Sequence, residues 1–208
     1  MKSLRQIARS ILSKPLNKLD LSQLKSKIKN SSQPLNIIVG AGKTSYNNWL
    51  PTNIHSLNLL ETASFENLLG KKKAKRFLAE HVFEHITYTD ALTALKNCYQ
   101  FMEKGGSIRI AVPDGFHPNP DYIDMVKPGG YGNGSDDHKL LYDYKKLKQV
   151  LEDAGFRAQL LEYHDENRQF HFNEWKSEDG HIIRSKRFDK RFNEPLNYSS
   201  LIIDGIKE

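Results

Sequence analysis

Histidine and carboxylate side chains gather at two places where their spacing permits chemistry. His81, Glu84 and His85 read H-x-x-E-H, a pattern in which paired histidines on one helical face hold zinc and the glutamate serves as base. That arrangement needs a helix through His81. The residues before it, Phe77-Leu78-Ala79-Glu80, instead form an apolar run of strand type, so His81 and His85 are expected to point apart and no stoichiometric metal is expected. Glu84 then falls in the first turn of a helix, where the positive dipole end favours a carboxylate. The second group, Asp114, His117, Asp121, Asp137 and His138, lies on a stretch rich in Pro and Gly over 113–140. Group transfer to a hydroxyl oxygen profits from a base within hydrogen-bond reach, and His138 or His117 supplies one. The competing reading is a set of solvated turn residues. His164, His171 and His181 are read as surface or hairpin residues without a role.

A third feature is the turn Gly40-Ala41-Gly42-Lys43-Thr44 after the apolar run Leu35–Val39. It resembles the end of a phosphate-binding P-loop, but the glycine that motif requires five positions before Gly42 is Ile37, inside the apolar run. A dinucleotide fingerprint fails as well: the third glycine position is Ser45, and no helix pattern opens there to receive a pyrophosphate. What two glycines behind a buried strand still offer is close backbone approach to a ligand that carries no phosphate.

These residues need elements to carry them. Apolar runs predict strands at 35–39, 49–54, 76–80, 107–112, 157–163 and 198–206, and 3.6-residue periodicity predicts helices at 64–70, 89–103 and 143–154. Leu92, Leu95, Tyr99 and Met102 form one helical stripe, Thr89-Asp90 starts that helix, and Gly105-Gly106 is read as its stop. Asp143 caps the next helix and Gly155 ends it. Strands alternating with helices indicate an α/β sheet, in which ligands bind outside the carboxyl ends of strands. Glu80, His81, Pro113 and Asp114 therefore border one crevice. The loop 113–140 is long for a compact domain and sits at such an end, which favours function. Residues 165–195 read as a polar insertion before the last strand. Residues 1–33 read as a helical extension broken at Pro15, leaving 34–208 as one α/β domain.

Composition narrows the partners. The 208 residues suit a single large domain, and the +6 net charge is dispersed, so a solvated basic face is favoured over a nucleic-acid surface. Cys98 is the sole cysteine, which excludes an internal disulfide and a multi-cysteine zinc site and suits a reducing, cytoplasmic setting. Leu4, Ile7, Ala8, Ile11 and Leu12 share a helical face among basic residues. No run there reaches a membrane span, which leaves a packed helix or weak membrane-surface contact.

In three blocks the chain resembles the class I S-adenosylmethionine-dependent methyltransferases, in particular small predicted members near the type 11 group. LNIIVGAG is similar to the first cofactor motif, FLAEHVFEHI to the fourth strand and its helix, and FMEKGGSIRIAVPD to the turn and fifth strand; together they span about 35–160. The resemblance implies a Rossmann-like sheet, mostly parallel with an antiparallel last strand. It also implies S-adenosylmethionine as cofactor and methyl transfer to a small acceptor, for which a sugar hydroxyl suits the polar 113–140 loop. By the same resemblance the Gly40-Ala41-Gly42 turn approaches the cofactor, Asn53 stands where an acidic residue usually holds ribose, Glu61 and Thr62 flank adenine, and Glu80 and His81 lie near the sulfonium. Two departures stand out: Asn53 is an amide, and Gly42 to Trp49 leaves too little chain for a full crossover helix. A non-catalytic binding protein on a degenerate scaffold is the alternative they motivate.

Overall fold

The structure, a computed structural model, describes residues 21–189 and 199–208. The amphipathic pattern at Leu4–Leu12 and the break at Pro15 lie outside these residues. Helix α1 covers 21–30 and is followed by β1 (Leu35–Val39), β2 (Leu50–Pro51), α2 (Thr62–Leu69), β3 (Ala74–Glu80), α3 (Tyr88–Gln100), β4 (Met102–Pro113), α4 (Pro120–Val126), α5 (Tyr144–Asp153), β5 (Arg157–His164), β6 (Phe170–Phe172) and β7 (Ser200–Ile206). Among the described residues the strands form one seven-stranded sheet in the order β2-β1-β3-β4-β7-β5-β6. β2, β1, β3 and β4 are mutually parallel, and β7 enters antiparallel between β4 and β5. The expected mixed sheet with its antiparallel last strand is present.

Alternation along the strands sorts side chains onto two faces. Ile37, Val39, Phe77, Ala79, Ile108, Ile110, Leu201 and Ile203 face a core closed by α1 (Leu24, Ile28), α2 (Phe65, Leu68, Leu69), α3 (Ala91, Leu95, Cys98) and α5 (Leu147, Val150, Leu151). The opposite face carries Ile38, Leu78, Ala111 and Ile202, and it meets Trp175 and Ile182 instead of helices. The reason is local. Only Gly40 to Trp49 joins β1 to β2, no helix forms in that span, and the shortened crossover leaves this face for residues 173–188 to cover. Arg109 on β4 anchors the cover. Its guanidinium is bidentate to Asp204 on β7 (2.8 and 2.7 Å) and donates to Lys176 O and Gly180 O at 2.8 and 2.6 Å. Trp175 lies under it at 4.7 Å. A guanidinium only 1% exposed is thus met by four acceptor contacts, as a buried charge requires. Burial nonetheless pushes the Asp204 carboxyl up, against the pull of Arg109.

Several boundaries differ from the sequence expectation. Strand β2 is two residues long, because Pro51 and the turn at 54–56 leave no further ladder. The run Val82–Ile86 does not open the long helix: Phe83–His85 is a single 3-10 turn, and α3 starts after Thr87, whose hydroxyl accepts the Asp90 N–H. Gly105-Gly106 is not a helix stop. The helix ends at Gln100, and the glycines bulge the start of β4, where Ala74 and Arg76 pair with Met102 and Ser107. A Cβ on Gly106 would stand 2.8 Å from Lys75 O, so only glycine lets the two backbones meet there. Helix α4, capped by Asn119, sits inside the loop that sequence left irregular.

Candidate functional site

The glycine turn closes on itself through the end of β2. Gly40 and Gly42 adopt φ +60 and +56, a region open to glycine at no steric cost. The Ala41 N–H donates to Thr52 O at 2.8 Å, and the Gly42 N–H donates to the Asn53 side-chain oxygen at 2.9 Å. A Cβ on Gly40 would lie 2.6 Å from Val82 Cγ2, whereas one on Gly42 would meet nothing within 4 Å. The space above Gly40 is therefore filled by the turn after β3, and the open cradle is over Gly42. Glu61 is exposed and accepts from Asn58 at 2.8 Å, while the Thr62 hydroxyl is committed to Asn97 at 2.9 Å. Asn97 also donates to Leu59 O, which ties this loop to α3.

At the end of β3 the chain departs from extended geometry: His81 has φ +55, unusual for a residue with a Cβ and costly unless the surroundings hold it. The His81 N–H donates to Ala111 O at 2.9 Å. Its Nδ1 is 2.8 Å from Glu84 Oε1 and its Nε2 is 3.4 Å from Ser200 Oγ. A carboxylate oxygen can only accept, so Nδ1 carries the proton and Nε2 accepts from the serine. Glu84 lies in the first turn of a helix as expected, the short 3-10 turn Phe83–His85, but it is fully buried, and its Oε2 has no hydrogen-bond partner among the described residues. Its backbone oxygen accepts the N–H groups of Lys139 (2.7 Å) and Leu140 (3.3 Å). Those bonds bring the distant loop alongside and seat His138 against His85, ring centroids 4.8 Å apart and nearly perpendicular. His138 Nδ1 is fixed 2.6 Å from Val126 O at the end of α4. Together His81, Glu84, His85, His138, Arg184, Asn133 and Ser135, with Met125 and Val126, line a cavity of about 350 Å³ at the carboxyl end of the sheet.

Asp114 and His117 do not line this cavity. Asp114 is fully buried; its Oδ1 accepts from the Phe116 N–H at 3.0 Å, and its Oδ2 accepts from the His164 N–H at 2.7 Å and lies 2.9 Å from His164 Nδ1. His164, expected at the surface, is 2% exposed, held inward by the contacts of its backbone N–H and ring with this carboxylate. His117 is buried, stacked on Tyr122 at 4.0 Å, with its Nδ1 accepting from the Asn119 N–H. Glu80 accepts the Arg184 N–H at 2.9 Å and so fastens the covering segment to the end of β3. His181 packs against Tyr46 and Phe188, and burial lowers its pKa. Burial also raises the Tyr46 hydroxyl to about 12, helped by the Glu80 charge. His171 stays half-exposed and pairs with Asp165 at 2.8 Å.

Sequence reasoning reached His81 and His138 separately, but it had no signal that Arg184 and Ser200 would stand near them. Nor did the motif tie Glu84 to the loop, since that link runs through backbone bonds.

No protein-family model matches the sequence, and no curated protein is similar to it. Solved structures do resemble the fold. A SAM dependent methyltransferase from Archaeoglobus fulgidus is similar at TM-score 0.50 and 16% identity, over 92% of this chain and 94% of that one. An O-methyltransferase family protein from Burkholderia thailandensis is similar at TM-score 0.52 and 12% identity, over 97% of this chain and 57% of that one. PigF with SAH is similar at TM-score 0.50 and 9% identity, over 86% and 53%. The chain has the class I methyltransferase fold. Among the described residues no helix is long and apolar enough to cross a membrane.

Proposed function

We propose that the protein is an S-adenosylmethionine-dependent methyltransferase acting on a small polar acceptor, with a sugar-type hydroxyl as the acceptor group. The observation that carries this reading is an open glycine cradle and a polar cavity at the same, carboxyl end of one sheet, at the strand-order reversal where open α/β sheets take ligands. The residues present fit the cofactor. Gly42 leaves space for close approach, Asn53 keeps an amide donor while its oxygen braces the loop, and Glu61 offers an exposed carboxylate on the following loop. When bound, S-adenosylmethionine supplies a methyl group already activated on a sulfonium, so the protein's task is positioning and proton removal.

His81 suits the second task. Glu84 holds its Nδ1 proton and stabilises the imidazolium that forms, while Nε2 lies 3.4 Å from Ser200 Oγ, a long bond that an acceptor hydroxyl could displace. The other polar groups around the cavity, Asn133, Ser135 and Arg184, favour an acceptor with several hydroxyls or an anionic group over a flat apolar one. The test is calorimetry and thermal shift with S-adenosylhomocysteine. Binding to the native state alone adds RT ln(1 + [L]/Kd) of stability. A rise in Tm that saturates with ligand supports the reading, and no shift at millimolar ligand overturns it.

A further inference from the structure

We propose that Glu84, His85 and His138 form a binding site for one divalent transition-metal ion of the zinc class. One ligand atom from each of the three lies within 4.8 Å of the others. The set differs from H-x-x-E-H, in which His81 and His85 would be the ligands: His81 turns away into its bond with Glu84 Oε1, and His138 arrives from the loop in its place.

An independent observation points the same way. Glu84 is fully buried and its Oε2 has no hydrogen-bond partner. A carboxylate oxygen taken out of water is retained when a cation or donor meets it. No hydrogen-bond donor meets that oxygen among the described residues, and a ring nitrogen of His85 and one of His138 lie within 4.8 Å of a Glu84 oxygen. Both histidines are prepared as ligands. His138 Nδ1 lies 2.6 Å from Val126 O, which can only accept, so Nδ1 carries the proton and Nε2 is the ring's lone-pair nitrogen, the second-sphere arrangement that fixes the tautomer of metal-bound histidine. The His85 Nδ1 lies 3.6 Å from the exposed Asp137 carboxylate. Tetrahedral donors about 2 Å from zinc stand roughly 3.3 Å apart, so the set must contract, and His85, 31% exposed along its side chain, can turn to do so.

Two imidazoles and one carboxylate choose the ion. Magnesium and calcium prefer all-oxygen donors, whereas zinc, iron, cobalt and nickel accept this mixture. Three protein ligands leave at least one coordination position open, and the residues concerned line the cavity. A hydroxyl bound there would be acidified, as metal-bound water is. That last role rests on the methyl-transfer reading; the ion's presence does not.

The test uses the untagged full chain, stripped with chelator and titrated with cobalt(II), whose visible absorption reports low-coordinate nitrogen and oxygen ligation, followed by competition with zinc. Expected are one saturable cobalt per chain, displacement by zinc, and a rise in Tm with either metal. His138→Ala and His85→Ala should each weaken binding at least tenfold, while His171→Ala, on a surface pair outside the cavity, should bind as the parent does. Glu84→Gln alters a fully buried side chain and so tests folding as well as ligation, whereas the two histidine variants, shown to be folded by circular dichroism, decide the matter. Absence of saturable binding, or equal binding by folded His138→Ala and His85→Ala, overturns the proposal. Because the readout needs neither cofactor nor turnover, metal binding without S-adenosylhomocysteine binding would retain the site and reject the methyl-transfer reading alone.

Discussion

The side-chain oxygen of Asn53 accepts the backbone N–H of Gly42 at 2.9 Å, so the residue at the expected ribose position also holds the glycine turn in shape. An aspartate could keep that bond through one oxygen and present the other, charged, to a ribose hydroxyl. Hydrogen bonds to charged groups contribute about 1.5–3 kcal/mol against about 0.5–1.5 for neutral ones. Asn53→Asp should therefore tighten S-adenosylmethionine binding roughly tenfold by calorimetry, and Asn53→Ala, which frees the turn, should weaken it. Weaker binding by a folded Asp variant would move the ribose position to Glu61.

The two glycines of that turn predict opposite phenotypes. A side chain at Gly40 meets Val82 at 2.6 Å at a φ of +60, so Gly40→Val should cost roughly 2–4 kcal/mol of stability through strain and overpacking. Its defect would be one of folding, not of a blocked ligand. Gly42 has the same backbone geometry but open space, and asparagine tolerates that region. Gly42→Asn should fold with a Tm within a few degrees of the parent and lose the thermal shift with S-adenosylhomocysteine. A normal shift in Gly42→Asn would place the cofactor elsewhere.

Period and capping made most of the architecture legible in the sequence. Strands β1, β3, β5 and β7 and helices α2, α3 and α5 were marked by apolar runs, and Asp143 was recognised as the cap of α5, whereas the cap of α3 is Thr87, two residues before the expected start at Thr89-Asp90. The short crossover was legible too, since Gly42 to Trp49 cannot hold a helix. Its consequence was not. That residues 173–188 take over the uncovered face depends on Arg109 reaching Lys176 and Gly180, contacts across about seventy positions that leave no local pattern. The same limit hid the site. His81 and His138 were named from residue type, and Glu84 was correctly placed in a helix's first turn, but no local pattern showed that the loop would fold over it and bury it. Asp114 looked catalytic at a strand end, and only the return of β5 revealed His164 as its partner.

Glu162 supplies a pH signature of the covering segment. It is fully buried, accepting from Trp175 Nε1 at 2.9 Å and from the Lys186 N–H at 2.7 Å. Burial raises its pKa more than these donors lower it. A carboxyl with a higher pKa folded than unfolded binds its proton more readily in the native state. Its stabilising contribution is full below the unfolded value, near 4.5, and is lost as pH rises through the folded value. Glu162→Gln, neutral at every pH, removes that dependence. Thermal melts between about pH 4.5 and 7 should show the variant improving relative to the parent as pH rises. A constant difference would mean that the covering segment leaves Glu162 hydrated.

Asp114 and His81 should separate folding from chemistry. Asp114 is enclosed, with both oxygens spent on Phe116 and His164, so Asp114→Asn puts an amide donor against groups that already donate. Losing charge-assisted bonds in a buried place costs about 1.5–3 kcal/mol, and the Tm should fall accordingly, with S-adenosylhomocysteine affinity unchanged in the protein that remains folded. His81→Gln has the reverse expectation. Its side chain is 16% exposed, and glutamine can still donate to Glu84, so stability and cofactor affinity should stay near those of the parent. Methyl transfer should drop by a hundredfold or more, the usual range for a lost general base. If Asp114→Asn abolished turnover at full stability, or His81→Gln kept its rate, the base would have to be sought at the Asp114–His164 pair.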